Sequence, residues 1–303
     1  MIIILHENKE WIQPFEDALK SINADFKFWY IPELDIDFNK APQDAIYYNR
    51  MSASSHTRGH RYDPEITIGI LEWLKRHNKT IINGPRALDL EISKLRQYQE
   101  LEKFNIRTPK TYASTKTESL LANANKLGFP LISKHNRAGK GLGVYKFNNY
   151  QELNDFYNSP GFESSVDGIN LIQSYIDAPE PFITRMEFIG GKFFYAVKVD
   201  TSEGFELCPA DNCEINTNCP TSEIQKFEII NNFVMPNIKN YEDFLSANDI
   251  SISGIEFILD KDGNAWTYDV NVNTNYNSSA ELKANKFAYK EIANYLSALS
   301  KKL

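Results

Sequence analysis

Residues 254 to 271 carry three short pieces: Gly254-Ile255-Glu256-Phe257-Ile258, then Asp262-Gly263, then Tyr268-Asp269-Val270-Asn271. Two apolar runs of β-forming residues flank an Asp-Gly pair, which predicts a hairpin. Glu256 falls on the first strand. Asp269 and Asn271 end the second, two residues apart and so on one face. Three oxygen donors on neighbouring strands suit a hard cation such as Mg2+, an ion that usually shares its protein ligands with substrate phosphates. An exposed hairpin with acidic tips is the plainer reading of the same residues, so the rest of the chain has to decide.

With 303 residues the chain can bury a large core divided over two or three subdomains. Its 42% hydrophobic and 24% charged content is that of a soluble globular protein. A formal net charge of -7 argues against a nucleic-acid binder working through bulk charge. The opening run Met1-Ile2-Ile3-Ile4-Leu5 is too short for a signal peptide or a membrane span, and Glu7 and Glu10 follow at once. It reads as a first buried strand, and the expected location is cytoplasmic. Three cysteines make no disulfide framework. Cys208, Cys213 and Cys219 fit no standard zinc spacing and lack an evident fourth ligand.

The first segment alternates. Strands are expected at Ile2–Leu5, Asp25–Ile31, Ala45–Asn49 and Thr80–Asn83, with helices at Lys9–Ile22 and Pro64–His77, the second capped by Asp63. The order β-α-β-β-α-β implies a three-layer unit with a partly parallel sheet, whose ligands gather at the carboxyl ends of the strands. Asn83-Gly84-Pro85 breaks this unit from a helix-rich connector, Arg86 to Phe104. Strands are then expected at Lys110–Ala113, Pro130–Lys134, Val144–Phe147, Leu171–Tyr175, Phe182–Ile189 and Lys192–Val199. Helices lie between at Glu118–Leu127 and Tyr150–Asn158. A long helix over Ser222–Leu245 should precede the acidic hairpin, and a helix over Ala280–Leu299 should close the chain.

Between two of those strands lies Ala138-Gly139-Lys140-Gly141-Leu142-Gly143. A phosphate loop of the nucleotide-binding type opens a helix. This one returns into a strand and so reads as a flap, whose glycines let backbone N–H groups close over phosphate oxygens. Lys134 and Lys140 would add charge; a flexible hairpin with solvated lysines is the alternative. The full order is Lys94, Lys134 with its glycine flap, the strand-to-break run Gln173-Ser174-Tyr175-Ile176, Arg185, Lys198, then Glu256, Asp269 and Asn271. It suits a nucleotide between two sheets, with metal at its phosphates.

This ordered set resembles the ATP-grasp superfamily, and most closely its RimK-like carboxylate–amine ligases. The resemblance runs from about Asn49 to Asn275. Ser93-Lys94-Leu95-Arg96 looks like the family's Asp-Lys-Leu-Arg helix, whose lysine touches ATP. Lys134 and the flap through Gly143, the run from Gln173 to Arg185, and the triad Glu256, Asp269 and Asn271 also match. The implied fold is α/β with α+β subdomains: an N-terminal Rossmann-like pre-ATP-grasp domain (1–84), a central ATP-grasp subdomain with the phosphate flap (85–172), and a C-terminal ATP-grasp subdomain with the metal site (173–303). The implied activity is ATP-dependent amide or peptide bond formation through an acylphosphate, with release of ADP and phosphate. It would use ATP and two Mg2+ ions, with Mn2+ as a substitute. The implied nucleotide contacts are Lys94, Lys134, Gly139, Lys140, Gly141, Gly143, Gln173, Ser174, Tyr175 and Ile176. Arg185 and Lys198 are the implied catalytic cations. Partners would be a small-molecule or peptide carboxylate and an amine such as an amino acid, with neither nucleic acid nor membrane; a homo-oligomer is left open.

The chain also departs from the family pattern. Its hinge acid is Ser174 here, and the acid that holds the ribose falls on Ile183, with Asp177 or Glu180 as substitutes. The metal acids appear as Glu then Asp rather than the reverse. An Arg-Ser-Asn element is replaced by Glu206-Leu207-Cys208-Pro209-Ala210-Asp211-Asn212-Cys213. The alternatives are therefore an ATP-grasp small-molecule kinase or a nucleotide-binding protein without turnover. Finally, the loop from Arg50 to Arg61 is dense in hydroxyl, imidazole and guanidinium groups. Arg50, Ser52, Arg58 and Arg61 are expected to hold a carboxylate substrate, because guanidinium pairs bidentately with carboxylates. A solvated basic loop is the alternative.

Overall fold

The structure is a computed structural model, and it describes residues 1–139, 141–202, 204 and 226–303. The apolar N-terminal run forms β1 (Ile2–His6), the centre of a sheet with β2 (Phe26–Tyr30), β3 (Ile46–Arg50) and β4 (Thr80–Ile82). The order is β2-β1-β3-β4 and every pairing is parallel. All five residues of β1 are buried, as a parallel strand covered on both faces requires. Helix α2 (Asp63–Arg76) covers one face through Ile70, Leu71 and Leu74. Helix α1 (Gln13–Ser21) covers the other through Phe15 and Leu19. The expected cap of α2 is displaced by one residue: Tyr62 is the N-cap and Asp63 lies in the first turn, with no side-chain cap bond.

Two short helices follow, α3 (Pro85–Glu91) and α4 (Lys94–Lys103). The next sheet has the order β5-β8-β6-β7 and is antiparallel throughout: β5 (Thr111–Ser114), β6 (Leu131–His135), β7 (Tyr145–Phe147) and β8 (Asn170–Ser174). Helices α5 (Thr117–Leu127) and α6 (Tyr150–Tyr157) pack on it around Leu120, Leu131, Leu153 and Ile172. The third sheet has the order β11-β10-β9-β12-β13, again antiparallel: β9 (Phe182–Ile189), β10 (Lys192–Asp200), β11 (Phe227–Ile229), β12 (Ile252–Leu259) and β13 (Ala265–Asn271). Helices α3, α4 and α7 (Ile238–Ala247) pack on one face through Leu90, Tyr98, Leu101 and Phe244 against Phe188, Ile255 and Phe257.

Two expected helices differ. The helix over 222–245 reduces to α7, because Phe227 and Ile229 alternate inward as an edge strand beside β10. Residues 222–225 lie outside the described residues. The final helix splits into α8 (Ser278–Ala284) and α9 (Ala288–Ser300), since Asn285 closes α8 in the left-handed conformation at φ 50°.

The first sheet is not a separate body. Ile2, Ile4, Ile46 and Tyr48 share one core with Ile183, Val197 and Ile252 of the third sheet and Ile292 and Leu296 of α9. Asn83 holds the junction. Its amide donates to the carbonyls of Ile252 (2.8 Å) and Val272 (2.9 Å), and its oxygen accepts from Ser251 N (2.9 Å) and Ile252 N (3.1 Å). The residue is fully buried and sits at φ +58°. Asn83→Ala leaves four backbone groups, three of them buried, without this partner, so it should cost about 3 kcal/mol or more. Asn83→Gly loses the same amide but relieves the left-handed strain that alanine would suffer at this φ, so it should recover about 1 kcal/mol of that cost. Denaturant unfolding of the two variants checks this; Asn83→Gly at wild-type stability would contradict it.

Candidate active site

The central and C-terminal sheets face each other across a cavity of about 460 Å3. One end is formed by Gln173, Ser174, Tyr175 and Ile176, where β8 leaves its sheet, together with Pro181, Phe182 and Ile183. The floor carries Lys94, Lys134, Arg185, Glu256, Tyr268, Asp269 and Asn271. The flap contributes Ala138, Gly139, Gly141 and Leu142, and the far end is closed by Trp11, Ser52, Ser54, Asn273 and Asn275.

The acidic hairpin forms as its spacing requires. Glu256 stands directly opposite Asp269, and Gly254 opposite Asn271. After Glu256 the register slips, because Phe257 pairs with Thr267, so Tyr268 is the extra residue of a bulge. In a regular strand Tyr268 and Asp269 would face opposite ways; the bulge turns both toward the cavity. Tyr268 then donates its hydroxyl to Glu256 Oε2 at 3.0 Å, and Asn271 Nδ2 lies 3.4 Å from Glu256 Oε1.

Cations surround these acids. Lys94 occupies the first turn of α4, whose N-cap Ser93 accepts from Arg96 N, while Asn136 at the end of β6 accepts from Lys94 N. That frame places Lys94 Nζ 2.8 Å from Asp269 Oδ1 and 3.2 Å from the Ala138 carbonyl. Arg185 reaches across from β9, with Nη1 3.5 Å from Glu256 Oε1 and Nε 2.6 Å from Glu187 Oε1. It has room because β12 carries glycine at 254: a Cβ there would lie 2.5 Å from Arg185 Nε and Nη2. Burial, reinforced by Asp269, raises the Glu256 carboxyl above its usual range. Burial lifts Glu187 to about 7 despite Arg185.

Lys134 has a different setting. Its ammonium lies over the rings of Tyr98 (5.3 Å) and Tyr268 (5.6 Å) and makes no ion pair among the described residues. Burial, then the nearby charge of Lys94, lowers it to about 7. A buried ammonium held by aromatic faces is ready for an anion.

Several expected site residues fall elsewhere. Lys198 does not line the cavity; it lies over Phe182 at 4.1 Å and reaches Glu180 at 3.5 Å. Gly143 packs against the His135 ring instead of the cavity. Lys140 and the cysteines lie outside the described residues. Of the substrate loop, Ser52 lines the cavity, but the three guanidiniums do not. Arg50 is buried and donates to Asn273 Oδ1 (3.1 Å), Thr274 O (2.8 Å) and Asn275 Oδ1 (3.2 Å). Arg58 pairs with buried Glu7 (3.0 Å), and Arg61 pairs with Glu65 (2.9 Å). Each has a carboxylate or carbonyl of its own, so the loop borders the cavity through Ser52 and Ser54 while its guanidiniums turn to Glu7, Glu65 and the segment after β13. Glu180 and Ile183 line the cavity; Asp177 does not.

Sequence reasoning missed Glu91. It lines the cavity and accepts from Ala53 N (3.1 Å) and Val272 N (2.7 Å), joining the substrate loop to the end of β13. Burial raises it to about 7. Trp11, Tyr98 and Tyr268 were also missed, and only the position of Tyr268 beside Asp269 offered a signal.

The donor set fits Mg2+: two carboxylates and an amide oxygen on adjacent strands, all hard ligands. Among the described residues no cluster of three or more His, Cys, Asp or Glu is set to hold a metal by itself. Two acids and an amide suit an ion that shares phosphates.

Comparison with known proteins bears on the fold. No family model matches the chain. Beta-citrylglutamate synthase B of Danio rerio is 23% identical over 164 residues, 53% of this chain and 39% of that protein. D-alanine--D-alanine ligase of Pseudomonas entomophila is 31% identical over 99 residues, 32% of this chain and 30% of that protein. The matches thus span about a third of these curated relatives' length. Among solved structures, the ATP-grasp ligase PsnB with its minimal precursor superposes at a TM-score of 0.70, with 13% identity over 98% of both chains. D-alanyl-alanine synthetase A from Vibrio cholerae gives 0.68 with 14% identity, over 100% of this chain and 98% of that one. The RimK domain protein from Sphaerobacter thermophilus gives 0.65 with 14% identity, over 97% and 98%. The chain has the ATP-grasp fold. That fold is shared along nearly its whole length with PsnB, the RimK domain protein and D-alanyl-alanine synthetase A. No helix among the described residues is long and apolar enough to cross a membrane.

Gly254→Ala tests the packing of Arg185. Overpacking at this contact should destabilise the fold by about 1–3 kcal/mol. In an Arg185→Ala background the same substitution should cost markedly less, because the atoms it meets are gone. Equal costs in both backgrounds would show that the two residues do not press on each other.

Proposed function

We propose that this chain is an ATP-dependent carboxylate–amine ligase. One observation carries the reading: a single cavity joins the hinge run 173–176 to Lys94, Lys134 and Arg185 and to the triad of Glu256, Asp269 and Asn271. The adenine would lie at the hinge, with backbone groups of Ser174–Ile176 reading its edge. The polyphosphate would run beneath Gly139 and Gly141 toward Lys134 and Lys94. PsnB has been solved with Mg and ADP, which supports ATP with Mg2+ as the working pair. Two ions, and Mn2+ in place of Mg2+, belong to the same reading. Glu256, Asp269 and Asn271 would hold the metal, whose chemistry is to neutralise charge on the phosphoryl oxygens.

The reaction follows from the donors at hand. A substrate carboxylate oxygen bonds to the γ-phosphorus and ADP leaves. The amine nitrogen then attacks the acyl carbon, phosphate departs and the nitrogen loses its proton. The residues of this chain contribute position and charge. Arg185, in the cavity and anchored by Glu187, would stabilise the acylphosphate and the developing oxyanion. Lys198, paired with Glu180, leaves that role to Arg185. Ser52, Ser54, Asn273 and Asn275 close the end where acid and amine would meet. The substrates are a small or peptide carboxylate and an amino acid or other amine, and the expected location is cytoplasmic.

Asp269→Asn removes one ionised ligand and should abolish ADP formation while leaving the circular dichroism spectrum intact; normal turnover at saturating Mg2+ would refute the metal assignment. The reading itself is tested with pools of amino acids and peptides. Amine-dependent release of ADP and phosphate with a new amide in the mass spectrum supports a ligase. ADP without amide indicates a kinase, and no release indicates a binder.

Lys134 generates a pH signature. Its free ammonium titrates at about 7, and a bound phosphate would raise that value. The attraction is therefore fully present below pH 7 and is lost as pH rises toward the raised value. Calorimetry with ATP in EDTA should show proton uptake above pH 7 and a dissociation constant rising up to ~10-fold per pH unit. Lys134→Met should bind more weakly and flatten the profile. An unchanged profile in Lys134→Met would assign the dependence to another group.

A further inference from the structure

Both acids of the proposed metal site already have cations of their own. Asp269 Oδ1 lies 2.8 Å from Lys94 Nζ, with side-chain exposures of 15% and 9%. Glu256 Oε1 lies 3.5 Å from Arg185 Nη1 and also accepts from Tyr268 at 3.0 Å. Arg185 is shared with Glu187, while Lys94 pairs with no second carboxylate among the described residues. Instead its second bond goes to the Ala138 carbonyl, at the root of the flap. Its backbone is fixed by the Ser93 cap and by Asn136. Lys94 is therefore held against Asp269 by a rigid frame and does not reach it as a loose surface chain.

We propose that Lys94 is a built-in counter-cation that keeps a divalent ion off Asp269 until a polyphosphate enters the cavity. The proposal rests on the ligase reading only for the identity of that polyphosphate. A divalent ion gains little from two carboxylates that are each neutralised, and Mg2+ gives up its water reluctantly. Lys134, over the Tyr268 ring at 5.6 Å, is a second basic side chain beside the same acids. A polyphosphate reverses the balance. It offers Lys94 and Lys134 new anionic partners, draws the ammonium away from Asp269 and supplies the oxygens that complete the metal's shell. The same movement frees the Ala138 carbonyl, so the root of the flap and the metal site respond together. Metal affinity is then a consequence of nucleotide binding, and a cavity without nucleotide does not collect free ions.

The test is a titration of the full chain with Mn2+ alone, followed by electron paramagnetic resonance, and repeated with a non-hydrolysable ATP analogue. Wild type should bind Mn2+ at least ~10-fold more tightly with the analogue than without it. Without nucleotide, Lys94→Met should bind Mn2+ at least ~10-fold more tightly than wild type. Lys94→Arg, which retains the cation, should behave as wild type, and Lys94→Met with Asp269→Asn should lose the gain. Equal Mn2+ affinity in wild type with and without the analogue would overturn the proposal, as would a folded Lys94→Met with wild-type affinity. None of these readouts depends on turnover. A chain that makes no amide but shows the Lys94→Met gain would sink the ligase reading and keep this one.

Discussion

A buried carboxylate beside a half-buried one sets the terms for the rest of the structure. Glu256 and Asp269 stand opposite each other on β12 and β13, in a cavity floor largely shielded from water. Left alone, the pair would repel, and Glu256 would bear a desolvation cost that in proteins amounts to several kcal/mol per buried ion. The surrounding residues offset it. Lys94 comes from the capped start of α4, and Arg185 crosses from β9 over a glycine. The bulge at Tyr268 adds a hydroxyl donor to Glu256. Each of these local features departs from a regular strand or helix surface, and each makes sense only through the acids. Charge compensation of this kind offsets the cost of placing the acids in the cavity floor.

The same cavity requires three sheets to meet at fixed distances. Polar buried side chains do this work where apolar packing could not define register. Asn83 ties the end of β4 to the starts of β12 and the segment after β13. Arg50 reaches from β3 to Thr274 and Asn275, and Glu91 joins Ala53 to Val272. The far wall of the cavity is therefore built jointly by the N-terminal sheet and the third sheet. Arg50, which looks like a ligand for an acidic substrate, is in the folded chain a strut that fixes Asn273 and Asn275.

Much of this was legible in the sequence. The acidic hairpin, the strand–flap–strand unit and the alternation of the first 84 residues rest on period-2 and period-3.6 patterns with clear turn residues, and those elements form close to their expected bounds. The floor of the cavity could be read because its residues sit next to strong local signals. Long-range pairing was less legible. Arg50, Arg58 and Arg61 share a loop in sequence, but their partners are Thr274 and Asn275, Glu7, and Glu65. Nothing local predicts those partners. Glu91 carries no local signal, because the N–H groups that donate to its carboxylate lie at 53 and 272. The misread helices have local causes. Phe227 and Ile229 have an alternation too brief to outweigh the helical pattern around them, and Asn285 stops a helix without a glycine or proline to mark it.

The central claim is that a carboxylate, and not water, receives the γ-phosphoryl group in the cavity between the two sheets. The most direct measurement uses amino acids and peptides whose carboxyl oxygens have been exchanged to oxygen-18, incubated with the chain, ATP and Mg2+ in ordinary water. Transfer through an acylphosphate predicts that the released phosphate carries one heavy oxygen from the acid. ADP formation accompanied by phosphate free of the label would contradict the account.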